Sequence, residues 1–232
     1  MRILTVMSAV LLLTTGVANA QVSGTVTAVS DYDFRGVTQT AGDPALQGSI
    51  DYAHSSGWYI GAWTSNVDFG GSYGENMELD LYTGIAGAAE NGIGWDVGLI
   101  DYTYPGTDVD ADFFEIYASV SYKMFKGKFW YADDYFNLGE SAYYIEGNAT
   151  VPLPKDFSLL IHAGYSDGDY WSSDAYFDYS VGVSRSLGHF NLALKWIDGS
   201  DLEIANNAPD DVFTSDARVV FSVSTTFPWS SE

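Results

Sequence analysis

Apolar and polar residues alternate along this chain in one strand-length run after another, and that alternation limits the possible folds more than any other feature. Val22, Val26, Ala28, Tyr32 and Phe34 alternate with Ser23, Thr25, Thr27, Asp31, Asp33 and Arg35. The same period returns at residues 46–52, 59–69, 77–85, 95–104, 114–122, 130–136, 143–151, 157–165, 177–183, 190–196 and 219–227. Successive side chains of a strand point to opposite faces, so each run carries one apolar and one polar face. Twelve strands are predicted, and two are irregular. Asp96 and Asp101 fall on opposite parities of the fifth, and Asp134 interrupts the face assigned to Trp130, Ala132 and Phe136.

Run lengths match the roughly 9–11 residues that a tilted strand needs to cross a bilayer. Aromatics gather near the ends of the apolar faces, at Tyr52, Tyr59, Tyr122, Trp130, Tyr165, Trp196 and Phe227, as interfacial girdles do. Connections alternate in length. Short ones fall at residues 55–57, 90–92, 125–128, 152–156 and 187–189. The others are mostly longer and Asp-rich, at 37–44, 70–76, 105–112, 167–174 and 199–215, with 137–141 the short exception. Lys123, Lys126, Lys128, Lys155 and Arg185 lie at or beside short turns. The fold class expected is all-β, a transmembrane antiparallel up-and-down barrel of the outer-membrane type with about twelve strands. A soluble β-sandwich or lectin also alternates, but it explains neither the loop rhythm nor the aromatic ends.

Arg2, an apolar run over residues 6–13 and the Ala18-Asn19-Ala20 end describe a cleavable secretory signal, so residues 1–20 are set apart and 21–232 form the expected barrel. No cysteine is present, which excludes a small disulfide scaffold. Acidic residues number 31 against 9 basic ones, a balance that argues against nucleic acid as a partner. An acidic chain can be a disordered one, but 17 Tyr, 13 Phe and 7 Trp argue for a folded chain here.

The block Ser30-Asp31-Tyr32-x-Phe34-Arg35-Gly36-x-x-Gln39-Thr40, then Asp43-Pro44-Ala45-x-Gln47-Gly48 and Gly57-x-Tyr59-x-Gly61-x-Trp63-x-Ser65-Asn66, resembles the TorF-type family of proteobacterial porins, also described as a conserved outer-membrane family of unknown function. The resemblance implies an outer-membrane barrel and a pore. It brings no catalytic or ligand residues. Barrels of this kind usually end on an aromatic that the assembly machinery reads; here Phe227 is the candidate, with Trp229 beyond it as the alternative.

If the apolar parity meets lipid, the lumen receives Asp31, Asp33, Asp51, Glu78, Asp80, Glu115, Glu146 and Asp178, with Arg35, Lys195 and Arg218 as a basic minority. Acidic rings favour cations in a pore. The expected function is therefore passive diffusion of small, preferentially cationic solutes, through a lumen that at twelve strands is narrow. A non-conducting surface or adhesin-like barrel is the alternative. Asp31, Asp33 and Arg35 share one face at alternate positions, and read either as a constriction or as a salt-bridged lining. Asp108, Asp110, Asp112, Asp167, Asp169 and Asp174 could meet divalent cations or bridge lipopolysaccharide, but they lack the glycine turn and distal Glu of a calcium loop. His54-Ser55-Ser56, with Asn66, has the spacing of an outer-membrane lipase, though Ser56 falls in a turn where serine is common; no enzyme activity is expected. No cofactor or metal site is expected. The partners expected are membrane lipid, lipopolysaccharide, the barrel-assembly machinery and small solutes.

Overall fold

A computed structural model describes residues 21–70, 75–106, 110–172, 174–200 and 212–229; the segment read as a signal lies outside them. Twelve strands close into an antiparallel barrel: β1 (Gln21–Val29), β4 (Ala45–Ala53), β5 (Trp58–Asp68), β6 (Glu75–Ala88), β7 (Ile93–Thr103), β8 (Phe113–Tyr122), β9 (Phe125–Ala132), β10 (Ala142–Pro152), β11 (Phe157–Asp167), β12 (Tyr176–Leu187), β13 (Phe190–Gly199) and β14 (Arg218–Phe227). Each wall strand pairs with its chain neighbours, and β1 closes on β14 from Gly24↔Phe227 to Val29↔Ser222. Closure leaves no free sheet edge, which a strand in hydrocarbon cannot have. The remaining pair, β2 (Asp33–Phe34) and β3 (Val37–Thr38), forms a small separate hairpin.

The barrel is built inside out relative to a soluble protein. Leu46, Ile50 and Val219 expose 60% or more of their surface, whereas Glu78 and Glu115 expose 1% and 0%. Outward side chains on the wall are mainly Val, Leu, Ile, Phe and Trp, a surface that suits hydrocarbon. The short connections gather at one end with Gln21 and Phe227. At one of them the Gly57 amide donates to the His54 carbonyl at 3.0 Å, with Gly57 at φ 91, a conformation costly for any residue with a Cβ. The long connections gather at the other end.

Three local expectations are corrected. The first strand stops at Val29 rather than running to Arg35. Arg35 and Gly36 adopt positive φ, 53° and 85°, and turn the chain back into the barrel as the β2–β3 hairpin. Tyr32 and Phe34 therefore pack inside, on Trp63 and Tyr102, rather than against lipid. Second, β9 begins at Phe125, so the turn is Lys123–Met124 and residues 125–128 belong to the wall. Third, two strands carry the opposite parity. In β5, Trp58 and Ile60 face outward while Tyr59, Gly61, Trp63 and Val67 face inward; in β9, Phe125 and Phe129 face outward while Lys126, Lys128, Trp130 and Ala132 face inward. Both parities of β5 are largely apolar, so alternation alone could not separate them. The irregularities also resolve: Asp96 points inward with the lumen parity of β7, Asp101 lies on the outward parity near its end, and Asp134 lies beyond β9 in a loop.

Candidate functional site

The lumen collects the polar chemistry of the chain, and its glycines make room for it. Gly61 and Gly84 pair directly with Tyr82 and Tyr59, and Gly98 pairs with Tyr117. A Cβ on Gly61 would meet the Tyr82 ring at 2.5 Å, and one on Gly98 would meet the Tyr117 hydroxyl at 2.5 Å. Each tyrosine thus lies flat over a bare stretch of the next strand, its hydroxyl reaching along the wall. The Tyr82 hydroxyl donates to Asp51, and the Tyr59 hydroxyl donates to Asp96 at 2.7 Å and contacts Tyr117.

At the long-loop end the β2–β3 hairpin occupies the lumen. Arg35 donates to both oxygens of Glu115, at 2.9 and 2.6 Å, with its guanidinium 4.6 Å from the ring centres of Phe34 and Tyr144. From the wall, Arg218 Nε donates to Asp31 at 2.5 Å, Nη2 to Asp33 and Nη1 to the Gly36 carbonyl at 2.9 Å. Thr38 and Thr40 hydroxyls also donate to Asp31, at 2.5 and 3.2 Å. The hairpin is tied to β14 and to the neighbouring loop by backbone bonds, from Ser30 N to Phe221 O at 2.9 Å and from Thr38 N to Thr214 O at 3.1 Å. Above it, Phe69, Tyr104, Phe113, Tyr135, Tyr170, Trp171 and Phe213 join one aromatic cluster. Aromatic rings contribute large buried area and edge-to-face contacts, so this end has a core of its own.

Further round the wall, His162 bridges two acids. Its Nε2 lies 2.7 Å from Asp178 and its Nδ1 2.8 Å from the Asn148 side chain and 3.6 Å from Glu146. Tyr144 donates to Asp178 at 3.0 Å, and Trp130 to Glu146 at 3.1 Å. Lys128 lies 3.6 Å from the ring centres of both Tyr117 and Trp130.

The expected lumen residues therefore sort as follows. Asp51, Glu78, Asp80, Glu115, Glu146, Asp178, Lys195 and Arg218 project inward from wall strands. Asp31, Asp33 and Arg35 lie inside too, but on the inturned segment rather than at alternate positions of one strand, and they divide between two ion-pair systems. Sequence reasoning did not assign Tyr59, Asp96, Lys126, Lys128 and Trp130 to the lumen. A tyrosine paired across from a glycine would have been the signal for Tyr59.

The lipase-like set is pulled apart. His54 Nδ1 lies 2.9 Å from Ser56 Oγ in an exposed turn, whereas Asn66 is at the far end of β5 and donates to the Pro44 carbonyl at 3.2 Å. Ten residues of strand separate Ser56 from Asn66 by roughly 30 Å. The loop acids are used locally: Asp112 accepts from Tyr104 N at 2.8 Å, Asp167 from Tyr143 and Tyr165 at 2.8 and 3.0 Å, and Asp169 from Ser141 at 2.9 Å. Asp108 lies outside the described residues. Among the described residues no three His, Cys, Asp or Glu side chains are grouped as a metal centre. Phe227 ends β14 and stacks on Trp229 at 4.9 Å, and Trp229 stacks in turn on His189 at 4.8 Å.

A family model described as a bacterial protein of unknown function, Gcw_chp, matches residues 14–227. The chain belongs to this family. No curated protein matches it. Among solved structures, the Gcw_chp chain is similar to the KdgM porin, at 8% identity and a TM-score of 0.56, over 90% of this chain and 99% of that one. A KdgM porin in complex with disordered oligogalacturonate gives a TM-score of 0.55 at 8% identity, over 90% and 100%. LpxR from Salmonella typhimurium covers 88% and 99% at 10% identity, with a TM-score of 0.41. At this identity the likeness to the KdgM porin concerns the fold alone: a closed antiparallel β-barrel.

Proposed function

We propose that this Gcw_chp protein is an outer-membrane channel that passes small solutes and prefers cations, with the conformation described here latched at its long-loop end. The observation that carries the reading is the lumen itself. Asp31, Asp33, Asp51, Glu78, Asp80, Asp96, Glu115, Glu146 and Asp178 outnumber Arg35, Lys126, Lys128, Lys195 and Arg218 among the described residues. A low-dielectric wall extends the reach of that excess charge. The porin fold and the TorF-type likeness of residues 30–69 support a channel. The KdgM structure with oligogalacturonate holds an acidic sugar chain; an acidic lumen repels such a ligand, so the solute here has the opposite sign or none.

On this reading the apolar belt meets outer-membrane lipid, and residues 1–20 direct export. The assembly machinery reads Phe227, and the acidic loops face lipopolysaccharide. Liposome swelling tests the function. Small cationic solutes enter fastest, neutral ones next and anionic ones slowest; equal exclusion of all three contradicts it. A second reading, a non-conducting structural barrel, is favoured by the hairpin and aromatic cluster at the long-loop end. It predicts equal exclusion even after the Arg218 latch is removed.

A further inference from the structure

Two carboxylates under the hairpin lack a countercharge. Glu78 and Asp80 sit two residues apart on β6, both facing inward, with 1% and 5% of their surface exposed. Glu78 Oε2 and Asp80 Oδ1 are buried and accept no hydrogen bond. The Tyr104 hydroxyl donates to the other oxygen of Glu78 at a long 3.4 Å. Among the described residues, the nearby cations are committed elsewhere: Arg35 to Glu115, Arg218 to Asp31 and Asp33, and Lys128 to two aromatic faces. A buried carboxylate without a partner is among the most costly groups a fold can hold.

We infer that Glu78 and Asp80 together bind a small hard inorganic cation inside the barrel. Alternate positions on a strand lie about 7 Å apart, close enough for two flexible carboxylates to converge on one ion. Carboxylate and phenol oxygens are the hard donors that such ions prefer. Two carboxylates fall short of a tight multidentate cage, so the ion exchanges with solution. The inference rests on the cation preference proposed above but not on conduction, because a latched barrel can load the ion without passing it.

The test uses the full chain refolded in detergent, and measures the temperature at which half the protein loses its heat-modifiable gel mobility. Sodium or calcium chloride is compared with N-methylglucamine chloride at equal ionic strength and fixed pH. The inorganic ions raise the midpoint by about 5 °C at saturation, and the bulky ion does not. The isosteric E78Q/D80N variant folds with a midpoint indifferent to the ion, whereas D216N, altered at an exposed loop acid, responds like the wild type. Equal response to all three salts, or an undiminished response in E78Q/D80N, overturns the site. Solute flux through the same proteins reconstituted in liposomes, with Arg218→Ala alongside, reports separately on the channel, so a loaded barrel that conducts in neither form overturns the channel and leaves the site standing.

Discussion

At Arg35 a guanidinium inside the barrel covers both oxygens of Glu115, and the two side chains expose only 6% and 0%. Removing one partner leaves the other charged and unpaired, so Arg35→Ala destabilises the barrel by about 3–5 kcal/mol in urea unfolding from micelles. The double change R35M/E115Q, which removes both charges, costs less than R35A alone. A second residue-scale prediction concerns packing. A Cβ on Gly98 would lie 2.5 Å from the Tyr117 hydroxyl and 2.7 Å from the Thr83 carbonyl, whereas one on Gly147 meets nothing within 4 Å. Gly98→Ala therefore costs about 1–3 kcal/mol and Gly147→Ala almost nothing, read by the same unfolding transition. The residue pairs were the least legible part of the sequence. Asp31 and Arg35 look like partners at alternate strand positions, but Arg35 meets Glu115, 80 residues away, and Asp31 meets Arg218, 187 residues away. Only barrel closure brings these positions together.

Among the elements, the β2–β3 hairpin matters most for the proposed function. Three contacts from Arg218 hold it, to Asp31, Asp33 and the Gly36 carbonyl, and Gly36 packs so closely on Asp178 that a Cβ there would lie 2.5 Å from that side chain. Arg218→Ala loosens the hairpin and raises unit conductance in planar bilayers several-fold. The hairpin was invisible to periodicity because Asp31–Arg35 continues the alternation of β1 without a break. The turn is made instead by the positive φ of Arg35 and Gly36, and only the glycine hints at that. Parity failed in β5 and β9 for a different reason. The lumen of this barrel holds aromatics packed over glycines and paired with acids, so Tyr59, Trp63 and Trp130 resemble lipid-facing residues until their partners are known. In the other wall strands except β7, where Asp96 and Asp101 fall on opposite parities, one parity is plainly apolar, and there the sequence suffices to orient each side chain.

For the whole molecule, strand number, strand length and the rhythm of short and long connections were all readable, because each alternating run marks one strand, the runs have the length a tilted spanning strand needs, and short connections gather at one end of the barrel and long ones at the other. The sign of the lumen was readable as well, though Lys126 and Lys128 make it more mixed than the predicted turn at residues 125–128 allowed. On the proposed reading, the lining selects by charge, and the latch governs how much passes rather than what passes. The most direct test is the reversal potential of the Arg218→Ala variant in a planar bilayer under a tenfold potassium chloride gradient. A cation-preferring lumen gives the potential the sign set by potassium. A potential of the chloride sign, or no current even with the latch removed, contradicts it.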